Sequence, residues 1–474
     1  MSQEAQAFSV KRAQVEFHNF ASFGEPERNL RIYADENTRR GSILRNHLKF
    51  VGPLSPFLEI GANAGHTSYM LCNEFGAAGF ALDISADSLR HGRVLMDAWN
   101  LERAPIRVAG DAVNLPFADG SLRMVATFQT LSQFLDIEKV FAEVHRVLQP
   151  GGIFFFAEEP LLRTLSLRLY RCPYYETMKP WEKKLHDWGL LGYFVKDVIG
   201  AHQEESFGIR QNHTMGLREW DALVKKYFVA HEYDAFVPER GWGERWMKQF
   251  AKKIDRHHSD WLAARLLGGT LAAVCRKSGT PPTSTPPLDK FEVYLQCPDC
   301  RYPITRDAED TLRCGHCNYE APNEGDVYNL LPAAEKRELY PGDRADIIDF
   351  SLPSHAKHLV GDWYDLEGVH GNKFRWIGEQ AVVQLTRVKD GTQRLRIRGF
   401  ASEKAIPGEV QAIVNGTPTG NWKLDRPGLF ILETDLPTGA EYTVEIHASP
   451  SFTVPEDDRR FTVNLSMIRL IDRN

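Results

Sequence analysis

Apolar and polar positions follow two different rhythms along this chain. In the first part, short apolar runs read as strands at 57–60, 79–83, 105–109, 123–128, 152–158, 228–236 and 269–276. Segments with helical spacing lie between them at 66–75, 85–99, 136–148, 217–227 and 243–266, and residues 10–50 also read as helical. Continuous apolar strands alternating with helices predict a mostly parallel sheet covered on both faces. Ligands of such sheets sit at the C-terminal strand ends, where Gly61, Asp83 and Asp111 fall. The stretch 161–215 breaks the alternation; it is either a lid over the ligand end or helical padding on the surface. Beyond residue 345 the period becomes two, over 381–388, 394–400, 409–414, 428–432, 442–447 and 460–468, with turn residues such as Asn415-Gly416 between the runs. That rhythm predicts an antiparallel β-sandwich.

The segment SGTPPTSTPPLD, Ser278 to Asp289, holds four prolines and separates the two rhythms as an extended linker. The expected division is therefore residues 1–278, a linker at 279–289, a cysteine-rich module at 290–344 and the sandwich at 345–474. Length and composition fit: 474 residues suggest about three domains, and 43% apolar with 25% charged residues is ordinary globular usage. A net charge of −6 gives no basic footprint for nucleic acid. No run of 18 apolar residues predicts a membrane span, and the stretch MSQEAQAFSVKRAQ lacks the apolar core of a secretion signal. A cytoplasmic protein is expected.

The chemistry starts at Leu58-Glu59-Ile60-Gly61-Ala62-Asn63-Ala64-Gly65-His66-Thr67. A strand, a small-residue turn and a helix N-terminus let a ligand approach the backbone and meet free N–H groups. Asp83 ends the next strand, 24 positions after Glu59. The nicotinamide fingerprint G-x-G-x-x-G is absent. Glu-x-Gly-x-x-x-Gly followed by Asp83 instead resembles the cofactor site of class I methyltransferases dependent on S-adenosylmethionine (SAM), of the type 11-like kind, with Asn63 where glycine is commoner. Further matches are Gly110-Asp111-Ala112, the run Leu115 to Ser121, Phe128-Gln129-Thr130, and Glu143 to Gly152; the resemblance covers roughly residues 50–278.

It implies a Rossmann-like sheet and a set of roles. Glu59 would hold the methionine amino group. Gly61, Ala62, Asn63 and Gly65 would form the loop beneath methionine and ribose. Asp83 would take the ribose hydroxyls, Ile84 would pack on adenine, and Asp111 with Ala112 would meet the adenine rim. Phe128 would end its strand beside the methionine. For a base acting on an oxygen nucleophile, the candidates are Glu158, Glu159 and His213; each could instead cap a helix or pair with a neighbouring cation.

Cys297-Pro298-Asp299-Cys300 and Cys314-Gly315-His316-Cys317 lie thirteen residues apart. Two such knuckles place four thiolates around zinc, closed to substrate and therefore structural. The module resembles the zinc-ribbon activator subunits of tRNA and rRNA methyltransferases. From Lys290 to Arg344 it carries seven Lys/Arg and eleven Asp/Glu, which argues against a phosphate-binding surface. In the tail, Trp363, Tyr364, Trp376 and Trp422 could stack on sugar rings, and its wording resembles β-modules appended to bacterial surface-polysaccharide enzymes. The expected protein is a SAM-dependent methyltransferase acting on a small molecule or glycan, on an oxygen of a sugar, polysaccharide or lipid-linked precursor. A protein partner through the ribbon or sandwich is part of that expectation. A non-catalytic scaffold on the same fold, and an RNA methyltransferase guided by the ribbon, stay open as alternatives.

Overall fold

The fold is that of a computed structural model of the chain. The structure describes residues 26–162, 215–237, 242–254, 260–340 and 344–472. Positions 135, 283, 351–352, 362, 370–371, 389–392 and 456 within those ranges are excepted, and residues 11, 170–172, 181, 184 and 195–197 are added. Backbone contacts divide it into two compact units, one dominated by residues 25–333 and one by 334–474.

In the first unit, α1 (Pro26–Val51) precedes β1 (Phe57–Ile60), α2 (His66–Glu74) and β2 (Gly79–Asp83). Then come α3 (Ala86–Arg90), α4 (Gly92–Trp99), β3 (Ile106–Ala109), β4 (Leu122–Phe128), α5 (Ile137–Val147) and β5 (Leu148–Leu161). After the 162–214 stretch follow α6 (Leu217–Tyr227), β6 (Ala230–Phe236), α7 (Trp242–Ile254), α8 (Trp261–Leu267) and β7 (Gly269–Arg276). The strand order is β3-β2-β1-β4-β5-β7-β6. Neighbours are parallel except β7, which runs antiparallel to β5 and β6. Strands β1 to β4 are buried almost throughout, as the unbroken apolar runs require.

Period two sorts their side chains onto two faces. Leu58 and Ile60 face a core shared with α5, α6 and α8. Phe57 packs with Met70 and Leu71 of α2 and Leu44 of α1 in a second cluster, and Glu59 points to that same side. α1 is thus a cover laid across α2, beyond what its sequence periodicity indicated.

The linker residues 278–282 and 284–287 are exposed. The cysteine-rich segment then forms a small antiparallel sheet of β8 (Ile304–Arg306), β9 (Thr311–Cys314) and β10 (Glu320–Pro322). Its continuation, β11 (Val327–Asn329), leaves that sheet and pairs in parallel with β3, Tyr328 opposite Val108, extending the large sheet to eight strands. Phe291 and Tyr294, ahead of the first knuckle, pack against Phe80 of β2. One apolar cluster runs from β1 and β2 into the ribbon at Leu312 and Ala321.

The second unit consists mainly of two antiparallel sheets. Strands 380–386, 408–414 and 441–449 of one and 393–401, 428–435 and 463–472 of the other supply one core, with Val383, Val410 and Val444 facing Leu395, Ile397 and Leu465. The period-two rhythm appears directly in the burial of 441–449, which alternates along its length.

Candidate functional site

The site forms where β1, β2 and β3 end side by side. Backbone bonds tie the three ends together: Ala62 N–H to Leu82 O (3.0 Å) and Gly110 N–H to Asp83 O (2.9 Å). The β1–α2 loop is left-handed at Gly61, Asn63 and Gly65 (φ 71°, 53° and 83°). Asn tolerates such a value better than most residues, which is why Asn63 can stand there. A β-carbon on Gly61 would lie 2.4 Å from the Thr130 side chain, so only glycine lets the loop pass beneath the end of β4.

Three carboxylates stand at or just beyond these strand ends. Asp83 accepts from the Asn63 N–H (2.8 Å) with one oxygen and the Ser85 N–H (2.9 Å) with the other. Each oxygen keeps lone-pair capacity for a hydroxyl. Glu59 is buried and accepts from Ser68 Oγ (2.5 Å). Burial pushes its carboxyl up to about 7, against the lowering effects of Ser68 and the Arg40 cation. Asp111 is buried as well; one oxygen takes the Val113 N–H (3.1 Å) and the other lies 2.6 Å from Lys11 Nζ. Ala112 is buried beside it and Ile84 half-buried after β2.

Sequence reasoning missed the cover over Glu59. Arg40 of α1 is buried above the start of α2 and lies over the Phe128 ring, 4.8 Å from its centroid. Its guanidinium donates to Thr67 Oγ1 (2.8 Å) and Glu158 Oε2 (2.9 Å), lies 2.7 Å from His66 Nε2, and pairs with Glu36 (3.2 Å). Tyr33 stacks on His66 at 4.2 Å. The His66 ring is held below its ordinary pKa, chiefly by burial. Paired basic residues in an N-terminal helix were the available signal, but nothing local tells which of Arg39 and Arg40 turns inward.

The two adjacent acids after β5 have separate environments. The β5–β7 ladder is broken between Phe156 and Glu159, and Glu158 sits at φ 64°. This extra residue sends the two side chains apart. Glu158 goes to Arg39 (3.1 Å) and Arg40. Glu159 is wholly buried and accepts from the N–H groups of Thr130, Leu131 and Ser132 (2.8, 2.8 and 3.0 Å). Its carboxyl is pushed up to about 7 by burial, partly offset by those bonds. Glu159 therefore caps the turn after β4, the duller of the roles open to it. His213 and most of the 161–215 stretch lie outside the described residues.

A separate constellation is the cysteine cluster. The sulfurs of Cys297, Cys300, Cys314 and Cys317 all lie within 4.8 Å of one another. Cys297–Cys317 and Cys300–Cys314 are each 3.5 Å apart. Four thiolates about 2.3 Å from a central zinc would stand about 3.8 Å apart, so the donor set fits that ion. The first knuckle touches the loop that carries Asp111. Asn114 Nδ2 donates to Pro298 O (3.1 Å) and its Oδ1 accepts from Arg301; Gln296 N–H donates to Pro116 O (3.1 Å) and Ala118 N–H to Tyr294 O (2.8 Å). Farther along, Asp326 pairs with the buried Arg107 of β3 (3.0 Å) and Glu324 with Arg90 (3.1 Å).

In the second unit the aromatics of the tail take mixed roles. Trp363 donates its ring N–H to Val382 O (3.0 Å), and Tyr364 donates its hydroxyl to Arg460 O (2.8 Å). Trp376 stands in a cluster with Phe374, Phe452 and Phe461, and Trp422 packs against the sandwich core.

Comparison with known proteins falls on the same stretch. Residues 58–156 match a family described as a methyltransferase domain. Norajmaline N-methyltransferase of Rauvolfia serpentina is 30% identical over 128 residues, 27% of this chain and 41% of that protein. Malonyl-[acyl-carrier protein] O-methyltransferase of Geobacter sulfurreducens is 31% identical over 102 residues, 21% of this chain and 37% of that protein. The match thus spans only about two fifths of either relative. Among solved structures, phosphoethanolamine N-methyltransferase 2 of Haemonchus contortus in complex with SAM aligns over 56% of each chain at 19% identity, with a TM-score of 0.32.

Proposed function

Starting from a methyltransferase domain in residues 58–156, we propose that the first unit binds SAM and transfers its methyl group to an oxygen of a small-molecule or glycan acceptor. The observation that carries this reading is the meeting of Glu59, Asp83 and Asp111 at three adjacent strand ends around a left-handed glycine loop. SAM supplies an electrophilic methyl group on a sulfonium; the residues of the chain bind and orient. Glu59 pairs with the methionine amino group, in a space dry enough to make that charge-assisted bond strong. Asp83, fixed by the Asn63 and Ser85 N–H groups, takes the ribose hydroxyls. Asp111 and the Ala112 backbone meet the adenine rim, and Gly61, Ala62, Asn63 and Gly65 line the approach with Ile84 and Phe128. Holding the reactants in line is the main contribution such a site makes.

Of the three candidate bases, Glu159 serves the β4 turn. Glu158, tied to Arg39 and Arg40, and His213 stay as candidates. The engagement of both carboxylates by partners within the protein favours a second reading, a binding protein that holds SAM without using it. Zinc in the four-cysteine cluster would act structurally, supplying folding energy to a short segment. A reducing compartment, the cytoplasm, suits four clustered thiols. The sandwich supports a sugar, polysaccharide or lipid-linked acceptor and offers, with the ribbon, a surface for a protein partner. The acidic ribbon makes RNA the less suitable substrate.

Titration calorimetry of the full-length protein with SAM tests the reading. Micromolar binding that Asp83→Ala weakens at least about tenfold, the worth of a hydrogen bond to a charged group, supports it. Absence of binding by the intact protein rejects it. Binding without methyl transfer in a screen of sugar nucleotides with labelled SAM selects the second reading.

A further inference from the structure

Helix α7 carries a buried apolar flank and, adjoining it, an apolar ridge that stays exposed. Ala251 is 2% exposed and joins the main core, with Met247 packed against it. Trp246, Phe250 and Ile254, spaced by four, form a ridge that is 56%, 53% and 56% exposed. The Trp246 and Phe250 rings stack at 5.5 Å with 8° between their planes. Four-residue spacing places all three on one stripe, and large apolar side chains lined up in water mark a contact surface.

Charge indicates what it contacts. Between Trp242 and Ile254 the chain holds Arg245, Lys248, Lys252 and Lys253 against Glu244, a net of +3 in a protein of net charge −6. Lys248 pairs with Asp260 (3.3 Å). Lys252 and Lys253 are exposed and make no ion pair among the described residues. We propose that α7 is an interfacial helix that seats this unit on an anionic membrane surface, with Trp246, Phe250 and Ile254 entering the headgroup region and Lys253, which flanks their stripe, meeting lipid phosphates.

Aromatic and aliphatic side chains beside lysines are the composition that lies in a bilayer interface. Thirteen residues rise about 20 Å, enough to lie flat and too short to cross. A second copy of the chain would bring the same cations together across a two-fold axis. Position gives the contact a use. β6 runs in the same direction as β5, since both oppose β7. The chain therefore enters the α7 segment from the end of the sheet that carries Gly61, Asp83 and Asp111. Resting on the methyl-transfer reading, this suits an acceptor carried on a membrane lipid.

Co-sedimentation of the full-length protein with vesicles tests it. Vesicles of phosphatidylcholine with phosphatidylglycerol should pull the protein down, and pure phosphatidylcholine far less. Binding should fall with added salt. Replacing Lys253 by Gln should weaken binding roughly fivefold, and Trp246→Ser with Phe250→Ser and Ile254→Ser should abolish it. These side chains point outward, and unchanged SAM affinity in solution would verify that the variants fold. No sedimentation of the wild type with the anionic vesicles, or undiminished sedimentation of the triple variant, overturns the proposal. So does a dimer in sedimentation velocity that the triple variant dissolves, which would give the ridge to a second copy. SAM binding that fails in the vesicle-free protein bears on the methyl-transfer reading alone and leaves the vesicle result standing.

Discussion

Glu59 is a carboxylate with little water around it, and on the proposed reading its proton bears on SAM binding. Because burial raises it to about 7, the free protein at pH 6 holds it mostly neutral, and pairing with a cationic amine requires that the proton leave. A group raised in the free form and ionised in the complex makes binding stronger as pH rises through its free value. SAM affinity should therefore increase about tenfold between pH 6 and pH 8, the change in the ionised fraction of a group titrating at 7. Glu59→Gln should flatten that dependence in calorimetry; a slope that survives the substitution assigns the proton elsewhere. Glu158 and Glu159 carry the complementary lesson. Identical and adjacent in sequence, they are separated by one residue at positive φ, which turns one to α1 and buries the other under Thr130. No local pattern encodes that divergence, so their chemistry was not readable from the chain.

At the level of elements, the strand ends were readable and the contacts between remote elements were not. The apolar run Phe57–Ile60 and the acid that ends Gly79–Asp83 have local signatures, and the sheet places them next to each other as the βα alternation requires. The fit of Arg40 over Phe128 depends on how α1 crosses α2, which periodicity does not state. The pairing of Val327–Asn329 with β3 likewise joins segments more than two hundred residues apart. That pairing makes the cysteine knuckle a neighbour of the Asp111 loop. Removing zinc with a chelator should lower the thermal midpoint and weaken SAM binding together, because the ties from Pro298 and Arg301 to Asn114 lose their support. Asn114→Ala, which cuts those ties and spares the cysteines, should cost about 1 kcal/mol of unfolding free energy with zinc content unchanged. A SAM affinity indifferent to chelation would show that the loop stands without the ribbon.

For the whole molecule, each of the two units is organised around a large core of its own. The proline-rich stretch at 278–289 looks like a place to cut, yet the first unit runs past it to residue 333. Strand β11 covers the flank of β3 that would otherwise present unpaired backbone groups from Arg107 to Ala109. A sheet edge of that kind is a template for another chain. Phe80, stripped of Phe291 and Tyr294, would add an apolar patch beside it. A fragment ending at residue 278 should consequently self-associate, eluting in the void volume of a sizing column, whereas one ending at residue 333 should elute as a discrete species. A monodisperse 1–278 fragment would contradict this. On this view the ribbon works as a built-in guard against aggregation, and its loss would be felt as insolubility before any loss of chemistry.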